Sequence, residues 1–144
     1  MSNVKDLLKE AKVELSREDY VEAVKICKKV LNADKENYFA HVFMGKSYSN
    51  MDNRIQDAID HYNKAIELLP EELLAWKGLY LVFKESDVIP SIVNFDTYFE
   101  FCGGYARALA NKGVSQVDLI HDIRVFRKTH TDCEESFLRH MVPG

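Results

Sequence analysis

Little in this chain of 144 residues breaks a helix: it holds three prolines and six glycines, too few for a long flexible linker. No apolar run approaches the ~20 residues that a membrane-spanning helix needs. The N-terminal MSNVKDLLKE carries acids and no apolar stretch, so it does not read as a signal peptide. Cysteine is scarce. Cys27, Cys102 and Cys133 form an odd, scattered set that fits reduced thiols in a cytosolic protein better than a disulfide frame. Positive charge is not in excess either. The net charge is −4 and the pI about 5.7, so no whole-chain basic field invites nucleic acid.

The chemistry-bearing patterns are missing as well. Gly103-Gly104 lies inside an apolar helical stripe, where it suits a close helix contact or a kink rather than a phosphate loop. Cys133 and His140, with Cys102 and His130, stand at no recognised ligand spacing. Nothing resembles a nucleophile elbow. The acid pairs Glu71-Glu72 and Glu134-Glu135 read as helix-start charges favoured by the macrodipole. The expectation is therefore a non-enzyme with no catalytic residue, no cofactor, no metal and no small-molecule substrate.

What is present is helical periodicity. Apolar residues make up 47% and charged residues 29%, enough for one continuous core. Val4, Leu7, Leu8, Ala11 and Leu15 mark a first helix, and Tyr20, Ala23, Val24, Cys27, Val30 and Leu31 a second. Further helices are expected over about 38–50, about 54–69 (stopped before Pro70) and about 71–84. Ser86 to Pro90 reads as a turn, with Pro90 suited to a helix first turn. A long aromatic stripe follows, Phe95, Tyr98, Phe99, Cys102, Tyr105 and Leu109, with Gly113 as its stop. Ser115 with Asp118 reads as an N-cap for 117–128. Thr131 with Glu134 matches a capping box for a short last helix. The sum is eight helices and no strand.

These helices repeat. Ala23, Cys27, Val30 and Lys35 recur as Ala58, Tyr62, Ala65 and Pro70, while Leu7, Ala11 and Glu14 recur as His41, Gly45 and Tyr48. His41, Met44 and Gly45 recur again as Trp76, Leu79 and Tyr80. The first and third sets are offset by 35 and the second by 34, so one extra residue falls in the turn before Ala58. A period of roughly 34 means stacked helical hairpins, and the small residues mark where helices approach closely. Residues 38–72 resemble the tetratricopeptide signature closely. Residues 4–37 do so less well, because Leu7 stands for the usual Trp and Lys35 for the Pro. The resemblance implies an all-α, right-handed superhelix of antiparallel hairpins. Repeat 1 would cover about 4–37, repeat 2 about 38–72 and the first helix of repeat 3 about 73–85. Residues 86–144 would form a divergent helical continuation.

In such a stack the first helix of each hairpin builds the inner face. The exposed positions there are expected to be Lys5, Leu8, Lys12, Phe39, Val42, Phe43, Lys46, Asn50, Leu74, Lys77 and Lys84. Of these, Lys5, Lys12, Phe39, Val42, Phe43, Lys46 and Lys77 are the candidate partner groove. Two readings stand side by side: a shallow groove for a peptide with acidic and apolar residues, or a solvated or covered face. Chaperone-binding members of the family hold a C-terminal carboxylate with polar residues at positions matching Leu8, Lys12, Phe43, Leu74 and Gly78. Only one of these is polar here, which disfavours a generic co-chaperone module. Arg124, Arg127 and Lys128 form a candidate basic patch, either for RNA phosphates or as cations at a helix end. The aromatic stripe reads as core first and partner patch second.

The stretches DLLKEAKVELSREDYVEAVKICKKVLNADKENYFAHVFMGKSYS, LLPEELLAWKGLYLVFKESDVIP and DLIHDIRVFRKTHTDCEESFLRHMVPG are similar to the N-terminal region of the tetratricopeptide scaffolds of superkiller complexes, budding-yeast type. The similarity covers essentially the whole chain. Its most specific part is the irregular second half. It implies a cytoplasmic scaffold that holds a DExH-type helicase and WD-repeat subunits, with an arm near an adaptor that bridges to the RNA exosome. RNA contact would be indirect, through the complex, and no membrane is involved. With room for about three hairpins, the length implies a piece of such a scaffold ending at Val142-Pro143-Gly144.

Overall fold

The computed structural model describes residues 3–85 and 88–141, with backbone alone at Met141. Among these residues there are eight α-helices, one short 3-10 turn and no strand. The chain divides into two compact units, Met1–Val82 and Phe83–Gly144.

The first unit contains α1 (Val4–Ser16), α2 (Tyr20–Ala33), α3 (Tyr38–Ser49), α4 (Ile55–Leu68) and most of α5 (Leu73–Lys84). Side-chain oxygens start three of these helices. Asn3 accepts from the Asp6 N–H at 2.8 Å, Asp19 from Glu22 at 3.1 Å and Asn37 from Ala40 at 2.9 Å. Each satisfies an otherwise orphaned first-turn donor. The exit from α1 is a tight six-to-one closure, in which Asp19 N–H donates to the Glu14 carbonyl at 2.9 Å. That closure puts Glu18 in the left-handed region, at φ 61°.

Three residues join α1 to α2, while five join α3 to α4, so the extra residue of the second repeat lies in that turn. α5 starts at Leu73 rather than near Glu71. Glu71 and Glu72 precede it in a turn, closed by a 3.1 Å bond from Glu72 N–H to the Leu69 carbonyl. The Trp76 indole N–H also donates to the Pro70 carbonyl, at 2.8 Å.

α1 packs on α2, α2 on α3 and α3 on α4. The small residues Ala11, Ala23, Ala40, Ala58 and Ala65 are completely buried on these helices, as is Ala75 on α5. Ile26, Val30 and Leu79 fill the space between them, and each such buried side chain contributes ~1.5–3 kcal/mol. Tyr62 keys the second hairpin to the third. A Cβ on Gly45 would stand 2.9 Å from its ring, and one on Gly78 only 2.4 Å. Glycine is required at both places because the ring occupies the volume of a side chain. The Tyr38 hydroxyl accepts the Ala75 N–H at 3.0 Å, which binds the start of α3 to the first turn of α5.

The second unit holds the end of α5, then α6 (Phe95–Asn111), α7 (Val117–Thr129), a 3-10 turn (Thr131–Cys133) and α8 (Glu134–Met141). Ser86 and Asp87 of the expected turn lie outside the described residues. Pro90 sits in a turn rather than at a helix start, because α6 begins at Phe95 with Asn94 as its cap. Gly113, at φ 69°, ends α6 by a second six-to-one closure, Val114 N–H to the Leu109 carbonyl at 2.9 Å. Two caps differ from expectation. Gln116 occupies the cap position of α7, and the Ser115 hydroxyl instead accepts the Val117 N–H at 3.2 Å. No capping box forms at Thr131, because residues 131–133 wind into the 3-10 turn and the Glu134 carboxylate is taken by Arg127.

The aromatic stripe of α6 is core. Phe99 is completely buried, and Tyr98, Phe101 and Tyr105 nearly so. Phe83 meets Phe101 edge-on at 4.9 Å, Tyr98 meets Phe126 at 4.7 Å, and Phe99 meets Phe137 edge-on at 5.5 Å. Such pairs contribute ~0.5–1.5 kcal/mol beyond their area.

Candidate partner-binding groove

Two adjoining clefts open on the first unit. One, of about 470 Å³, is lined by Val4, Lys5, Leu8, Lys9, Lys12, Phe39 and Phe43. The other, of about 370 Å³, is lined by Lys12, Leu15, Ser16, Phe39, Val42, Phe43, Lys46 and Leu74. They share Lys12, Phe39 and Phe43, so they form one groove across the first helices of three successive hairpins. The local cause is register. Lys5, Leu8 and Lys12 lie on one face of α1, and Phe39, Phe43 and Lys46 on one face of α3, at i, i+3, i+4 and i+7.

Six of the seven expected groove residues line this feature. Lys77 is exposed but lines neither cleft. Val42 was expected on the exposed strip and is instead 5% exposed, so it forms floor rather than rim. Phe39 and Leu74 remain 48% and 49% exposed, a high value for large apolar side chains on a folded surface. Asn50 turns its amide back to the Lys46 carbonyl at 2.9 Å. Lys84 belongs to the second unit, where it pairs with Asp122 at 3.1 Å. The positions of the chaperone-tail clamp do not supply a carboxylate site. Leu8, Phe43 and Leu74 are apolar lining, and Gly78 is the notch filled by Tyr62.

Lys9 was not among the expected residues, although its place one helical turn after Lys5 could have found it. The keying of Tyr62 between Gly45 and Gly78 was also missed at Gly78, where the tetratricopeptide pattern gives no small-residue signal.

The basic patch is divided. Arg127 binds Glu134 at 2.6 Å and lies 3.7 Å over the Phe137 ring, so its charge is spent inside the second unit. Arg124 and Lys128 stay exposed. Arg139 pairs with Asp96 at 2.6 Å.

Burial shifts several titratable groups elsewhere. Desolvation pushes the Cys27 and Cys102 thiols up to about 12, and Cys133 shifts the same way. His41 and His61 face each other Nδ1 to Nδ1 at 3.0 Å. Both are held below the usual imidazole range, by burial first. Lys64 adds to this at His41, and the neighbouring imidazole adds to it at His61. Among the described residues no group of three or more His, Cys, Asp and Glu could hold a metal, and no helix is long and apolar enough to cross a membrane.

The sequence of this chain has counterparts. Superkiller protein 3 of Saccharomyces cerevisiae is 47% identical over the whole of this chain. Over its whole length the chain is similar to a stretch of that protein. Superkiller complex protein 3 of Homo sapiens is 42% identical over 82 residues, 57% of the chain. Tetratricopeptide repeat protein 37 of Xenopus laevis is 46% identical over 81 residues, 55% of the chain. The chain spans 11% of the yeast protein's length and 5% of each of the other two. No protein-family profile matches the chain. For the Superkiller protein 3 family the all-α tetratricopeptide architecture is the expected one, and the hairpins of the first unit have it.

Proposed function

We propose that this chain is a non-catalytic protein–protein interaction scaffold, the N-terminal arm of a superkiller-type complex. In this reading it supports exosome-mediated, cytoplasmic 3′–5′ decay of mRNA. It contacts the exosome-bridging adaptor, the helicase or the WD-repeat subunits, and meets RNA only through them. Residues 1–85 count as two hairpins and the first helix of a third, and 86–144 as a divergent helical continuation. The observation that carries the proposal is the 47% identity to Superkiller protein 3, which extends through the irregular second unit and not the repeats alone. The rigid groove with exposed apolar side chains agrees with a binding role. Apolar residues at the clamp positions favour it over a chaperone-tail module.

The test is a pull-down. The immobilised chain is offered each purified subunit and the adaptor separately. Retention of at least one, at physiological salt, is the expected outcome. Retention of none removes this segment from the docking surface of the complex.

A further inference from the structure

The chain as a whole is acidic, yet its groove is not. Four lysines, Lys5, Lys9, Lys12 and Lys46, rim the two clefts, and no aspartate or glutamate is among the lining residues. Among the described residues no ion pair engages these lysines, whereas Lys64 and Lys84 do pair. Between them lie Phe39 and Leu74, each about half exposed, over a floor that includes Leu8 and Val42. A cationic rim around an apolar trough inside a net-negative molecule is a local inversion of charge. It attracts acidic segments, which the net negative charge of the chain as a whole disfavours.

We infer that the groove takes an acidic linear peptide segment of a partner protein, bearing two apolar anchors, one for each cleft. This rests on the scaffold reading and specifies which partner chemistry it recruits. Each anchor enters beside the Phe39–Phe43 wall that the clefts share. Flanking carboxylates meet Lys5 and Lys9 at one end and Lys46 at the other, with Lys12 between. The segment is internal rather than a chain end, since the clamp positions offer apolar contact and not carboxylate hydrogen bonds. Nucleic acid fits less well, because only Phe39 and Phe43 of the lining could stack bases, the other apolar residues being aliphatic, and the chain as a whole is net-negative.

The experiment uses the whole chain and a fluorescein-labelled, C-amidated peptide of Glu and Asp residues carrying one Leu and one Phe across a short acidic spacer. Anisotropy reads affinity, and amide chemical shifts read location. The expected result is saturable binding, shifts confined to α1, α3 and the start of α5, and affinity falling about tenfold as salt rises from low to physiological. Replacing Leu and Phe by Ser abolishes binding. The variant Lys12→Glu/Lys46→Glu weakens binding by at least about tenfold and gains binding to a Lys-for-acid peptide, a readout that simple misfolding does not produce. Several results overturn the inference: equal binding of the Ser peptide, binding only with a free C-terminal carboxylate, shifts on α6–α8, preference for single-stranded RNA, or a groove closed by self-association in light scattering. A chain that still retains complex subunits in the pull-down while the peptide fails keeps the scaffold reading and loses this one.

Discussion

The Tyr62 ring lies where a side chain on Gly78 would begin: a Cβ there stands 2.4 Å from Tyr62 Cε1 and 2.5 Å from Cζ. The same ring closes on Gly45, with a Cβ at 2.9 Å. One aromatic residue of α4 thus fixes how closely α3 and α5 approach it. Gly78→Ala is expected to destabilise the first unit by about 2 kcal/mol, since overpacking outweighs the helix propensity that alanine adds. Gly45→Ala costs less. In a Tyr62→Leu background the Gly78→Ala penalty shrinks, because the colliding atoms are gone. Urea unfolding of the double-mutant cycle measures that coupling, and an unchanged penalty refutes the keying.

Acidification should loosen the first unit through His41 and His61. Their folded-state pKa values are depressed below 6.5, so the unfolded chain binds protons first. Stability is therefore fully present above about 6.5 and falls as pH drops through that value toward the folded pKa values. The surroundings sharpen the effect at His41, where Lys64 opposes a charge. At His61, Lys28 opposes a charge while Asp57 and Asp60 favour it. Tyr48 stacks on His61 at 5.5 Å without offering a charge. His61→Asn keeps a polar neighbour for His41 and removes one titrating group. It should flatten the fall in melting temperature between pH 7 and 5; an unchanged slope assigns the effect to other groups.

Glu18 holds a left-handed backbone that costs an L-residue roughly 1 kcal/mol. Its side chain is exposed, so a substitution there disturbs no core. Glu18→Gly should raise stability by about 0.5 kcal/mol or more, the relief of strain exceeding the entropy glycine adds to the unfolded chain. Thermal unfolding decides it, and a lower melting temperature contradicts the assignment of strain to that turn.

Cys27, Cys102 and Cys133 are each 1% exposed or less, and burial raises the thiol pKa at all three. Alkylation by iodoacetamide at mildly alkaline pH should leave the native chain unmodified and label three sites once urea is added. Mass spectrometry counts the labels. Rapid native labelling at one site identifies a local opening that the packing does not account for.

What could be read from the sequence follows from which interactions leave a periodic trace. Ala11, Ala23, Ala58 and Ala65 recur because every hairpin needs a close seam, and the helices they mark end within two residues of expectation. Lys5, Lys12, Phe39 and Phe43 were legible as one face because helical spacing aligns them. Val42 was placed outside because periodicity gives an azimuth without a depth, and at the floor of the cleft it is 5% exposed. Caps set by competition were less legible. Thr131 and Glu134 have the capping-box spacing, but Arg127 offers the Glu134 carboxylate a bidentate partner instead. The contact of Gly78 with Tyr62 left no trace, since it joins residues from different helices at a position where the repeat signature tolerates many side chains.

The Tyr38 hydroxyl, which takes the Ala75 N–H, has a consequence for how such an array can lengthen. The five-residue turn inside the second hairpin absorbed an extra residue without disturbing either helix. The segment from Leu69 to Leu73 does not have that freedom. An insertion there would rotate α5 about its axis and carry Ala75 away from a fixed acceptor. The turn inside the second hairpin therefore tolerates a change of length that the joint leading into α5, tied by this bond, does not.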